Sequence, residues 1–256
     1  MERTSWRRRA RAFVPALLLL FALAGWMLPA APGPAAEADA VLETGEGEPC
    51  PTVPAGQKLI ALTFDDGPRR STTSKLLDGL AQRGVKATFF LIGLNLEGNE
   101  DLVLRMDQEG HQIGIHSYNH KMLTGLSAAD FYAEVGALRE ELSDLLGHDG
   151  FVLRPPYGKV DENVRALAGA PIILWSIDPE DWADTDTARQ VAHIVSCARD
   201  GDIILLHDIY PSSVETALQV VDALLDEGFY FVTVDELFAA LGITLEDGQR
   251  YSCARP

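Results

Sequence analysis

The sequence predicts an α/β domain built on a parallel sheet, and two observations predict it. Apolar runs near 58–64, 87–92, 111–115, 151–153, 171–177, 202–206 and 229–234 have the length and the β-branched or aromatic content of buried strands. Stretches with helical spacing lie between them, at 76–83, 128–146, 187–198 and 214–227, and strands alternating with helices make βα units. The rhythm alone allows an open doubly wound sheet as well as a barrel. No internal repeat is evident.

Taken in order, the strands end in polar chemistry. The first, Lys58-Leu59-Ile60-Ala61-Leu62-Thr63-Phe64, is stopped by Gly67-Pro68 directly after Asp65 and Asp66. Both carboxylates therefore emerge at its C-terminal end, the edge that faces the ligand crevice in α/β folds. Alone, Asp-Asp-Gly-Pro is ordinary turn chemistry. The strand at 111–115 runs into His116-Ser117-Tyr118-Asn119-His120. If that stretch makes a helical turn, its two histidines share one face, and with one carboxylate they supply the three protein ligands of a catalytic zinc site. Two carboxylates and two imidazoles exceed that need by one, which leaves an Asp free to act as a base. The strand at 151–153 runs into Arg154-Pro155-Pro156-Tyr157-Gly158, that at 171–177 into Asp178-Pro179-Glu180-Asp181-Trp182, and that at 202–206 into His207-Asp208. Singly, Arg154 reads as a surface ion pair, Trp182 as a core filler and His207 as a hydrogen-bonded strand end. Five such ends together are not explained that way.

These ends resemble, in order, the five motifs of the polysaccharide deacetylases that share the chitooligosaccharide deacetylase homology domain, a carbohydrate esterase type. The matching segments are Thr63-Phe64-Asp65-Asp66, His116 to His120, Arg154 to Tyr157, Asp178 to Trp182, and Ile204-Leu205-Leu206-His207. Ile204 stands where the family has Leu, a swap that keeps the buried volume. The resemblance implies a distorted (β/α)7-type barrel with its active site at the C-terminal ends of the strands. It further implies that Asp66, His116 and His120 bind a divalent metal, zinc by default, with Co²⁺, Ni²⁺ or Mn²⁺ as alternatives. Asp65 would be the base and His207 the acid, oriented by Arg154 and Asp181 respectively. The backbone N–H of Tyr157 would hold the oxyanion, and Trp182 with Leu206 would line the pocket for an acetyl methyl group. His111, His148 and His193 are left with structural or surface roles.

Domain organisation is read as 1–38 signal peptide or N-terminal membrane anchor, 39–57 flexible linker, and 58–256 catalytic domain. Arg7, Arg8, Arg9 and Arg11 precede an apolar run at 13–28, and Ala36-Glu37-Ala38 offers a cleavage site. Export, with a secreted or membrane-anchored enzyme at the cell envelope, is the expectation. The chain carries a net charge of −17; residues 1–38 hold five Arg and two Glu, so the remainder has 16 basic and 36 acidic residues, a net charge of −20. Such a surface repels nucleic acid. Of the three cysteines, Cys50 and Cys253 are the expected disulfide pair, with Cys197 a buried small residue on its helix. A monomer is expected.

The expected activity is hydrolytic removal of N-acetyl groups from an amino-sugar polysaccharide, with peptidoglycan N-acetylglucosamine first and chitooligosaccharide second. Two other classes fit the sequence less well. A two-His-one-carboxylate Fe(II) oxygenase would leave Asp65, Arg154 and His207 without roles and sits on an antiparallel scaffold. A non-catalytic glycan-binding module would be free to lose the base, a ligand or the acid, and all are present.

Overall fold

The computed structural model describes residues 56–255. In chain order the elements are β1 (Lys58–Asp65), α1 (Arg70–Arg83), β2 (Thr88–Leu91), α2 (Glu100–Gln108), β3 (Gln112–Ile115), α3 (Ala128–Phe131), α4 (Ala137–Leu146), β4 (Val152–Leu153), α5 (Glu162–Leu167), β5 (Ile172–Ile173), α6 (Thr187–Cys197), β6 (Asp202–His207), α7 (Pro211–Asp226), β7 (Phe229–Val232), α8 (Val234–Ala240) and β8 (Arg250–Tyr251). A π-helical turn, Tyr132–Gly136, joins α3 to α4.

All pairings between named strands are parallel, in the order β6-β1-β2-β3-β4-β5-β8. The central strand β1 pairs with β6 along one edge, Ile60 to Asp65 against Asp202 to His207. Its other edge is shared, with β7 beside Lys58 to Ala61 and β2 beside Thr63 to Asp65. The sheet curls into the expected distorted (β/α)7-type barrel. The two ends of this order, β6 and β8, share no ladder; among the described residues the seam is bridged at single points, Asp202 to Cys253 just after β8 and Ile177 to Ile204 after β5. The apolar run at 171–177 is therefore split: Ile172 and Ile173 stay with β4 and β8, and Ser176 and Ile177 cross over to bond the carbonyl of Ile203.

Period-2 alternation along β1 and β6 divides the apolar residues between two cores. Ile60, Leu62, Phe64, Ile204 and Leu206 face outward and pack with Leu76, Leu77, Leu80, Ala217 and Val221 beneath the helices. Leu59, Ala61, Ile173, Ile203 and Val232 face inward and fill the closed end of the barrel. Helix ends follow from the sequence: α1 stops at Gly84 in the left-handed region (φ 64°), α7 begins with Pro211, and α8 is capped reciprocally by Thr233 and Glu236.

Three expectations change. Leu206 is fully buried in the outer core, so it does not line a pocket in the barrel mouth; alternation gives that place to Leu205. Cys197 lies on the solvent side of α6 and is exposed, because Ile194 and Gln190 form the helix's buried face. The segment His116 to His120 makes no helical turn. Cys50 of the expected Cys50–Cys253 pair, the apolar run at 13–28 and nearly all of the linker fall outside the described residues. Among the described residues no helix is long and apolar enough to cross a membrane.

Replacing Leu206 by Ala empties a site with no exposed surface. The expected cost is about 2–5 kcal/mol of unfolding free energy, read from denaturant melts.

Candidate active site

The five strand ends converge on one cleft of about 490 Å³, lined by Asp65, Asp66, His116, His120, Tyr157, Trp175, Asp178, Trp182, Leu205, His207 and Tyr210. Asp65 closes β1 as its last inward-facing residue. Its Oδ1 receives a hydrogen bond from Arg154 Nη1 at 2.7 Å, and its Oδ2 lies 3.5 Å from His116 Nε2. Arg154 is fully buried, not a surface residue: it also donates to Thr63 Oγ1 (2.8 Å) and to the carbonyls of Ile173 (3.1 Å) and Leu174 (2.9 Å). Its guanidinium lies 4.0 Å above the Phe90 ring. Burial alone would push the Asp65 carboxyl up; the charges of Arg154, His116 and His207 outweigh it and hold the group below its ordinary range.

Asp66 turns away from its neighbour because its backbone is left-handed (φ 73°), so two adjacent acids serve different faces of the cleft. Its Oδ1 is buried with no hydrogen-bond partner and lies 3.6 Å from His116 Nε2 and 3.4 Å from His120 Nε2. His116 Nδ1 stands 2.7 Å from the Arg154 carbonyl, which can only accept, so Nδ1 carries the proton and Nε2 presents a lone pair. The two rings meet through left-handed residues at Ser117 (φ 64°) and His120 (φ 55°), where a helical turn was expected. Ligand atoms of Asp66, His116 and His120 all fall within 4.8 Å of one another. An orphaned carboxylate oxygen facing the Nε2 atoms of two imidazoles is the donor set of a divalent metal site, and the residues fit it.

Across the cleft, His207 is registered with Asp65 on neighbouring strands. Its Nδ1 pairs with Asp181 Oδ1 at 2.8 Å, and its backbone N–H donates to Asp181 Oδ2 at 2.8 Å. Burial would lower the pKa of His207; the hydrogen bond and charge of Asp181, with smaller contributions from Asp65 and Asp66, raise it to about 9. Tyr157 is half exposed and left-handed (φ 63°), in the single turn Pro156–Gly158, where its N–H has no intrahelical acceptor. Its ring meets His120 edge-on at 4.8 Å. Trp182 is 58% exposed and forms the cleft wall. The remaining histidines stand apart. His111 is buried against Phe89 and driven down to about 4, first by burial, whereas His148 and His193 lie on the surface.

Three lining residues, Trp175, Leu205 and Tyr210, were missed from the sequence. Trp175 sits in the crossing segment after β5, and Tyr210 directly precedes α7. Nothing in the sequence singles out Tyr210, whereas Leu205 could have been found by stepping back two residues from His207.

The chain is similar to known proteins in sequence and fold. A family model described as polysaccharide deacetylase matches residues 52–170. The chain is 40% identical to the solved structure of the T48 deacetylase with substrate, covering 77% of this chain and 97% of that one at a TM-score of 0.73. The chain belongs to the polysaccharide deacetylase family. Among curated members of the family, the peptidoglycan-N-acetylmuramic acid deacetylase PdaC of Bacillus subtilis is 37% identical over 186 residues, 73% of this chain and 40% of that protein. The peptidoglycan-N-acetylglucosamine deacetylase PgdA of Listeria monocytogenes is 39% identical over 203 residues, 78% of this chain and 43% of that protein. The chain thus spans about two fifths of the length of these two deacetylases.

In this deacetylase fold the acid candidate should be visible directly. The His207 imidazole is expected to titrate near pH 9 in nuclear magnetic resonance spectra, being protonated below and neutral above that value. Asp181→Asn removes the charge that favours the imidazolium, so the midpoint should move to lower pH.

Proposed function

We propose that the chain is a metal-dependent N-deacetylase of peptidoglycan, acting on N-acetylglucosamine. The observation that carries the reading is the division of one cleft into three parts: a ligand triad, a carboxylate paired with a buried guanidinium, and an imidazole paired with a buried carboxylate. Asp66, His116 and His120 would hold the ion, with Zn²⁺ first and Co²⁺, Ni²⁺ or Mn²⁺ as alternatives. When bound, such an ion supplies Lewis acidity to a water and to the acetyl carbonyl.

Asp65, kept ionised by Arg154, takes the proton of the attacking water as its oxygen adds to the acetyl carbon. The Tyr157 N–H donates to the oxyanion that develops there. His207, protonated below about pH 9, delivers its proton to the sugar nitrogen as the C–N bond breaks and acetate departs. Asp181 stabilises the imidazolium and fixes its orientation. Trp182 and Leu205, with Trp175 beyond them, supply the apolar surface for the acetyl methyl group. An oxygenase reading leaves both charge pairs without work, and a glycan-binding module has no need of either.

The choice between the two sugars of peptidoglycan rests on charge. N-acetylmuramic acid carries a lactyl carboxylate that N-acetylglucosamine lacks. Among the described residues lining the cleft there is no Lys or Arg, and the half-buried Asp178 accepts a hydrogen bond from the Glu180 N–H without forming an ion pair. A muramyl group would bring a second carboxylate toward Asp178, where the lining offers no Lys or Arg and the His207 imidazolium is already paired with Asp181. This substrate places the enzyme's work in the cell envelope, with residues 1–38 as its export signal or anchor and the catalytic domain acting as a monomer.

Acetate release from purified peptidoglycan, followed by mass spectrometry of the muropeptides, should show free amines on glucosamine. Chelation should abolish the release and Zn²⁺ restore it. Deacetylation of chitin oligomers with untouched muropeptides would overturn the wall assignment. Asp65→Asn should lower turnover by roughly 10² or more while zinc is retained. Asp178→Ala should raise the proportion of deacetylated muramic acid; an unchanged ratio would remove the charge argument.

A further inference from the structure

Asp208 follows His207 directly, is fully buried, and has no place in the chemistry above. We infer that Asp208 is a positioning residue: its carboxylate, seated on the backbone of Gly67 and bonded by Thr73, holds Asp66 in the orientation that faces His116 and His120. The inference rests on the reading of Asp66 as a metal ligand.

The need for such a device comes from the backbone. Asp66 is a non-glycine residue at φ 73°, a conformation that persists only where the surroundings over-determine it. Two restraints act from the β2 side, where Asn95 Nδ2 donates to the Asp66 carbonyl at 2.7 Å and the Ile92 N–H donates to the Gly67 carbonyl at 3.0 Å. Asp208 supplies the restraint from the β6 side. A Cβ on Gly67 would collide with Oδ1, Oδ2 and Cγ of Asp208, so the carboxylate occupies the volume that a side chain at position 67 would fill. Gly67 is not among the glycines with positive φ, so it is required for room and not for backbone freedom.

The carboxylate is itself anchored. The hydroxyl of Thr73 donates to Asp208 Oδ2 and accepts from the Arg69 N–H at 2.8 Å, while Arg69 Nη1 donates to the Ile209 carbonyl at 3.2 Å. The first turn of α1 and the end of β6 are thereby locked together, with Asp66 and Gly67 between them. Asp208 Oδ1 is buried with no hydrogen-bond partner, a cost that a role in stability alone does not account for.

The test is the Zn²⁺ affinity of the metal-free full chain, measured by competition with a chromophoric chelator well below the melting temperature. Asp208→Ala should weaken binding roughly 10–100-fold, as for residues that orient metal ligands. Asp208→Asn, which keeps the shape and an oxygen for Thr73, should stay close to the parent. Gly67→Ala should displace the carboxylate and weaken binding too, and the double variant Gly67→Ala/Asp208→Ala should lose no more than either single one, because both act through one contact. A lower melting temperature with parental Zn²⁺ affinity in Asp208→Ala overturns the inference. Should that variant not fold, parental affinity in Gly67→Ala overturns it instead. If the parent chain binds no Zn²⁺, or His120→Ala binds it equally well, the metal-site reading itself fails.

Discussion

The cleft is organised around the buried ion pair of Arg154 and Asp65. A guanidinium removed from water is tolerable only when its donors are used and its charge is met. Here Thr63, Asp65 and the carbonyls of Ile173 and Leu174 take the donors, and the Phe90 ring covers one face. One side chain therefore ties the end of β1 to the crossing segment after β5, over the apolar floor of the barrel. The carbonyl of the same residue fixes the His116 ring. Base, ligand and floor are consequently not independent. Removing Asp65 strands a buried cation, so a substitution there perturbs stability together with chemistry.

Three histidines show how one residue type acquires different work from its acceptor. His116 gives its Nδ1 proton to a neutral carbonyl, which leaves Nε2 as a lone pair. His207 shares its Nδ1 proton with the carboxylate of Asp181, which stabilises the cation and keeps a proton available. His111 accepts from the Ala87 N–H beside Phe89 and stays neutral. All three lie at strand ends in the sequence.

The strands, their order and the rim that carries the chemistry were legible because buried strands are continuous apolar runs and their polar ends stand out against them. What each side chain does at that rim was less so. Facing follows from alternation, yet the resemblance assigns the methyl pocket to Leu206, which alternation turns outward into the core. The approach of His116 and His120 was attributed to helical spacing. The chain reaches the same result through left-handed loop residues, which carry no period. Helices α2, α5 and α8 and the short strand β8 were not read, being short or weakly patterned. The burial of Arg154 was invisible, since its partners come from residues about 90 positions away and about 20 positions away.

Among the described residues five non-glycine residues adopt left-handed backbone: Asp66, Ser117, His120, Tyr157 and Glu180. Each belongs to, or sits beside, the motifs that form the cleft. At roughly 1 kcal/mol or more apiece, they consume a sizeable share of the 5–15 kcal/mol that separates folded from unfolded domains. The catalytic rim is thus the place where this fold is most easily improved as a fold. Selection or engineering for heat resistance would meet glycine at these positions among its first gains, and would erode catalysis in doing so.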